Sequence, residues 1–135
     1  KFETILRFHF HNIFHMYHLK YRFYKNFFQD FFGKQNKKVK EKIIWTLELI
    51  EDLDRVPETY LKHIENTDGL YEIRIQKGND IFRIFCFFDI GQLIIIGNGF
   101  QKKTQKTPKK ELELALKIKS AYENDKHQLD NFGRV

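Results

Sequence analysis

A chain of 135 residues with 41% hydrophobic and 31% charged side chains has the length for one compact domain with its own apolar core, which excludes a disordered tail or a fibrous repeat. Its one cysteine, Cys86, excludes a disulfide framework and a cysteine-based zinc site and fits a reducing cytoplasm, and no apolar run approaches the ~18 residues that cross a bilayer. The formal charge of +6 points to a polyanionic partner without naming it.

Residues 1–18 read as a leader. They hold four of the six histidines (His9, His11, His15, His18) among phenylalanines, with no clear period. A histidine metal site is one reading. The reading adopted is translated sequence upstream of Met16, the single methionine, as the initiator. Residues 19–25 alternate apolar and basic, the pattern of a strand with one buried face. Asn26 then suits an N-cap, and Phe27, Phe28, Phe31 and Phe32 form a short amphipathic helix stopped by Gly33. In residues 37–53, Val39, Ile43, Leu47, Ile50 and Leu53 fall in one helical stripe ~100° wide. Pro57 ends that helix, and residues 56–69 read as a connection with Asn66-Thr67-Asp68-Gly69 as its turn.

Three strands follow at 70–76, 81–88 and 93–100. Turns at Gly78-Asn79-Asp80 and Asp89-Ile90-Gly91 are short enough to demand antiparallel neighbours. Thr107 as N-cap and Pro108 at the first helical position start a last helix with Leu114, Ala115, Ile118, Ala121 and Tyr122 as its inward stripe. No pattern continues after Asp125. The order β-α-α-β-β-β-α is an α+β domain: an antiparallel sheet of about four strands with helices packed on one face. The expected organisation is a leader at 1–18, one domain at 19–126 and a disordered tail at 127–135.

The positive charge is local. Between Lys102 and Lys119, seven lysines against Glu111 and Glu113 supply a net +5, and a concentrated field gathers a phosphate backbone at one place. Familiar catalytic equipment is missing. There is no Gly-rich phosphate loop, no nucleophile elbow and no acidic cluster for magnesium, and outside the leader the histidines are His63 and His127. What remains is a set of cations. Arg74 lies on the polar face of its strand. Arg83 interrupts an apolar run, which is costly unless it pairs with Glu72 or opens onto a wet groove. Lys102 and Lys103 follow the last strand, with Thr104 and Lys106 beside them. In an antiparallel meander these groups converge on one concave surface. His63 reads as a loop hydrogen-bonder, and Tyr71 and Phe100 as core positions that could also stack an RNA base.

The stretches H-I-E-N-T-D-G-L-Y-E-I-R-I, I-F-R-I-F-C-F-F and N-G-F-Q-K-K-T-Q-K-T-P-K-K-E resemble the phage-derived, HigB-like branch of the RelE/ParE toxin superfamily, over residues 19–126. The resemblance implies a twisted antiparallel sheet of RelE type and a small basic toxin of a type II toxin–antitoxin pair. Its partners would be a cognate antitoxin, a HigA-like helix-turn-helix protein, and mRNA on the translating ribosome. The expected location is the cytoplasm, with no membrane contact. By similarity, Arg74, Arg83, Lys102 and Lys103 are the catalytic candidates, and Lys62, Thr104, Lys106, Lys109 and Lys110 contact RNA. RelE proper has a basic residue two positions before the Arg74 equivalent, where this chain has Glu72. It also has a tyrosine near its last helix, where this chain has Thr107-Pro108.

The chemistry so implied is metal-free and cofactor-free mRNA cleavage. The 2′-hydroxyl attacks the adjacent phosphodiester while fixed cations stabilise charge on the phosphate oxygens. Crowded lysines would lower one another's pKa towards that of a useful base. A ParE-like gyrase poison without nuclease activity is the alternative.

Overall fold

The computed structural model describes residues 18–132. The readings placed on residues 1–17, the histidine cluster and Met16 among them, lie outside the described residues, as do residues 133–135. His18, the last residue of the expected leader, pairs through Nε2 with Asp54 Oδ1 at 2.6 Å.

Strand β1 spans Lys20–Phe23 and leads into helices α1 (Phe27–Gly33) and α2 (Lys37–Asp52). Strands β2 (Leu61–His63), β3 (Leu70–Lys77), β4 (Asp80–Phe88) and β5 (Leu93–Lys102) follow, and helix α3 (Lys109–Phe132) closes the chain. The expected helix positions reflect local chemistry. The Asn36 side chain accepts from Val39 N at 2.9 Å and caps α2. The cap expected at Asn26 is not formed: its side chain makes no capping hydrogen bond, and its carbonyl accepts from Asp30 N in the first turn of α1. Helix α3 begins one residue after Pro108, whose carbonyl accepts from the Glu111 and Leu112 amides.

The fold is α+β as expected, with five strands in the order β1-β5-β4-β3-β2. The extra strand is β2, an edge of three residues paired with 71–73 inside the segment read as a connection. It is too short to show a period. Strand β1 lies parallel to β5, and the remaining pairs are antiparallel. The expectation of helices on one face is corrected. Phe28, Phe31, Val39, Ile43 and Leu47 of α1 and α2 pack on Phe82, Ile84 and Cys86 of β4. Ala115 and Ile118 of α3 pack on Phe85 and Phe87, the alternate residues of that strand and therefore its other face. Strand β4 is thus apolar on both sides because it is covered on both sides.

Two further corrections concern α3. Leu114 is 37% exposed, while Ala115 and Ile118 are buried and Leu112 and Tyr122 pack beside them. The helix also continues to Phe132, so residues 127–132 of the expected disordered tail are helical.

Register decides where the site forms. Ile84 pairs with Gly99 but Cys86 pairs with Ile96, so one extra residue of β5 bulges opposite Phe85. The bulge shifts the side-chain alternation of β5, so Gly99 faces Phe31 of α1 while Gly97 faces Ile118 of α3. Beyond it, Phe100 faces the α3 side, stacked on Phe85 at 5.5 Å. Gly78, with φ +61°, starts the two-residue β3–β4 turn, where a primed hairpin needs a positive φ.

Candidate nucleic-acid interface

Cross-strand pairing sets three rows of side chains on the α3 side of the sheet. Lys62, Glu72 and Phe85 are register partners in the first row, and Arg74, Arg83 and Phe100 in the second. Gln76, Ile81 and Lys102 form the third. Because paired residues share a face, the cations predicted from separate strands come together. Arg74, Arg83, Lys102, Lys103 and Thr104 line one cleft of about 610 Å³ with Asn79, Ile81 and Gln105.

Arg83 is the centre of this arrangement. It is 6% exposed, and its Nε lies 3.7 Å from Glu72 Oε2. Arg74 Nε lies 3.7 Å from Glu72 Oε1. Both separations are those of ion pairs rather than hydrogen bonds. Arg83 Nη1 donates to the Phe82 carbonyl at 3.1 Å, whereas its buried Nε has no hydrogen-bond acceptor. Burial pushes the Arg83 guanidinium below its usual value. Glu72 opposes that shift and Arg74 adds to it. The two sequence readings of Arg83, ion pair and groove cation, are therefore both met.

The other candidates divide. Lys102 is half-buried on the cleft wall and Lys103 is exposed at its rim. The Thr104 hydroxyl donates to the Lys106 carbonyl at 2.8 Å and shapes the loop before α3. Lys106, Lys109 and Lys110 are exposed outside the cleft lining, and Lys109 pairs with Glu113 at 3.8 Å. Lys62 lies one row away, across from Glu72. Phe100 is core, and Tyr71 is wedged between His63 and Phe88, so neither presents a free ring. His63 Nε2 meets the Thr67 carbonyl at 3.2 Å, a loop contact as read. Burial pushes the Cys86 thiol upward, which suits an inert core cysteine. Among the described residues, no group of three or more His, Cys, Asp or Glu side chains is placed to hold a metal ion.

A second cavity, of about 560 Å³, escaped the sequence reading. It shares Arg74 and Arg83 with the cleft and continues past Tyr60 to Lys42 and Thr46 of α2. Trp45 was its signal in the sequence, a large aromatic lying off the apolar stripe of α2. Asn98, at the bulge, donates through Nδ2 to the carbonyl and a carboxylate oxygen of Glu111, both at 3.3 Å. That contact fixes the start of α3, and with it the basic loop, against β5.

No curated protein matches the chain. Residues 30–120, more than half of the chain and including every element from α2 to β5, match the family described as phage-derived protein Gp49-like (DUF891). With a five-strand α+β fold consistent with the RelE type, the chain belongs to this phage-derived, toxin-like Gp49-like family, which is associated with RelE-type toxins.

Proposed function

We propose that the protein is the toxin of a type II toxin–antitoxin pair, of the HigB-like branch, and cuts mRNA on the translating ribosome. Membership in a toxin-like family implies an antitoxin partner in general; in this reading it is a HigA-like helix-turn-helix protein, and the site of action is the cytoplasm. The observation that carries the proposal is the convergence of Arg74, Arg83, Lys102 and Lys103 on one cleft. Guanidinium groups lining the cleft are matched to an oxyanion, because their planar forks make charge-assisted hydrogen bonds to a phosphate. Arg74 and Arg83 would hold the scissile phosphate, and Lys102 and Lys103 would bear on the charge that builds as the 2′-hydroxyl attacks. Attack forms the 2′-oxygen–phosphorus bond and breaks the phosphorus–5′-oxygen bond; solvent takes up the 2′ proton, and the leaving 5′ oxygen takes a proton from the Lys102 or Lys103 ammonium, which solvent restores. Glu72 stands behind the arginines and holds them in place.

The test is primer extension on a translated mRNA with purified protein, with and without ribosomes. Expected products are a 2′,3′-cyclic phosphate and a 5′-hydroxyl, formed in EDTA and abolished by 2′-deoxy substitution at the scissile sugar. Cleavage of the 2′-deoxy substrate overturns the mechanism. Toxicity that survives Arg83→Ala and Lys102→Ala and blocks DNA replication replaces the nuclease with a gyrase poison.

A further inference from the structure

We propose that the second cavity is a base subsite, in which the nucleobase next to the phosphate held by Arg74 and Arg83 stacks on Tyr60. This rests on the nucleic-acid reading of the cleft and extends it from the phosphate to the neighbouring base. Arg74 and Arg83 line both cavities, so a phosphate seated between them has space on either side, as a single strand requires. At about 560 Å³ the cavity falls within the ~300–1,000 Å³ of small-molecule sites. The Arg83 side chain lines it as well.

The aromatic wall is built rather than incidental. The Pro57 carbonyl accepts from the Tyr60 and Leu61 amides, and the Tyr60 carbonyl accepts from Arg74 N at 2.8 Å. The ring is therefore tied to the arginine that binds the phosphate. Trp45 sits edge-on to Tyr60 with centroids 6.1 Å apart, and Lys42 Nζ lies 4.0 Å over the Trp45 ring. Trp45 remains 45% exposed, so its ring is open to solvent beside Tyr60. Aromatic rings tolerate any base, whereas hydrogen-bonding groups discriminate. Glu58 on the wall accepts only, so it favours a base edge carrying an amino or imino donor, such as guanine, over an adenine-like edge with fewer donors.

Trp45, the single tryptophan of the chain, lies outside the cavity lining but edge-on to the Tyr60 ring that forms part of it, so its emission reports on that ring. The experiment titrates the full chain with a 2′-O-methyl RNA hexamer, which cannot be cut, and with the same hexamer abasic at one central position. Affinity is read by anisotropy and cavity occupancy by Trp45 emission. The expected result is a change of Trp45 emission with the intact hexamer and a smaller one with the abasic hexamer. Tyr60→Ala should weaken binding about tenfold, and Tyr60→Phe should keep it. Binding that leaves Trp45 emission unchanged, or that Tyr60→Ala does not weaken, overturns the subsite while leaving the arginine cleft standing. Failure of the hexamer to bind overturns both. Tyr60-dependent binding by a protein that never cuts translated mRNA removes the nuclease and keeps the subsite.

Discussion

Arg74 and Arg83 face each other directly across the β3–β4 ladder, and each Nε lies 3.7 Å from a different oxygen of Glu72. Like charges directly opposite in a sheet are unfavourable, so Glu72 keeps the pair tolerable in the unliganded protein. The three groups still sum to one positive charge, which leaves the pair ready for an anion.

Replacing Arg83 by Ala should lower cleavage of translated mRNA by ~10²–10³-fold, the effect of losing one preorganised donor at a developing oxyanion. Arg83→Lys should not restore it, since an ammonium lacks the planar fork of donors. Initial rates from primer extension decide this. A rate equal to wild type would remove Arg83 from the reacting phosphate.

Glu72→Gln should act through the same pair. Without the carboxylate, the buried Arg83 loses its countercharge, and the fold should lose ~1–3 kcal/mol. Urea unfolding of the variant, compared at constant m-value, measures the loss.

The lysines at the end of β5 should appear in the salt dependence. For single-stranded nucleic acid, each phosphate contact contributes ~0.7 to the slope of log K against log salt. The double variant Lys102→Ala, Lys103→Ala should therefore lower that slope by ~1.4, whereas Lys117→Ala, on the exposed side of α3, should leave it unchanged. Titrations of an uncleavable oligonucleotide across a salt series give both slopes.

The two glycines of the bulged strand should respond differently to alanine. A Cβ at Gly99 would lie 2.6 Å from Phe31 Cδ2, inside van der Waals contact with a packed core ring. Gly99→Ala should cost ~1–3 kcal/mol as overpacking. At Gly97 the nearest atom is Ile118 Cγ2 at 3.4 Å, so Gly97→Ala should cost clearly less. Thermal unfolding of both variants side by side checks the order.

Asp89 anchors α3 by accepting hydrogen bonds from Tyr122 and Lys126, and this contact should add to the pH dependence of stability. Burial pushes the Asp89 carboxyl upward, but hydrogen bonds from Lys126, Tyr122 and the Ile90 amide outweigh it and hold the group below its usual range. Its contribution is therefore present above pH 3.8, the ordinary value, and fades as pH falls below that. Tyr122 moves the other way, pushed up to about 12 by burial and by Asp89. Its contribution is complete below pH 10.0, the ordinary value, and disappears as pH rises towards about 12. Asp89→Asn should flatten the acid limb of a stability–pH profile, and Tyr122→Phe should make the alkaline limb shallower.

The sequence by itself determined the elements and most of the cleft. Helical and strand periods, Gly33, Pro57 and Gly78 act over a few residues, and they placed α1, α2 and the three long strands within a few positions. Hairpin connections then made β3, β4 and β5 neighbours, which put Arg74 and Arg83 on adjacent strands. Tertiary structure alone decided the rest. Alternation in β1 is the same whether it pairs parallel or antiparallel, so direction was settled by its bonds to β5. An apolar run such as β4 does not say which face each helix covers. The bulge opposite Phe85 shifts the face of every later residue in β5, and no local pattern marks it. The Tyr60 cavity, finally, joins the connection after α2 to the edge of β3, a contact between segments that carry no shared signal along the chain.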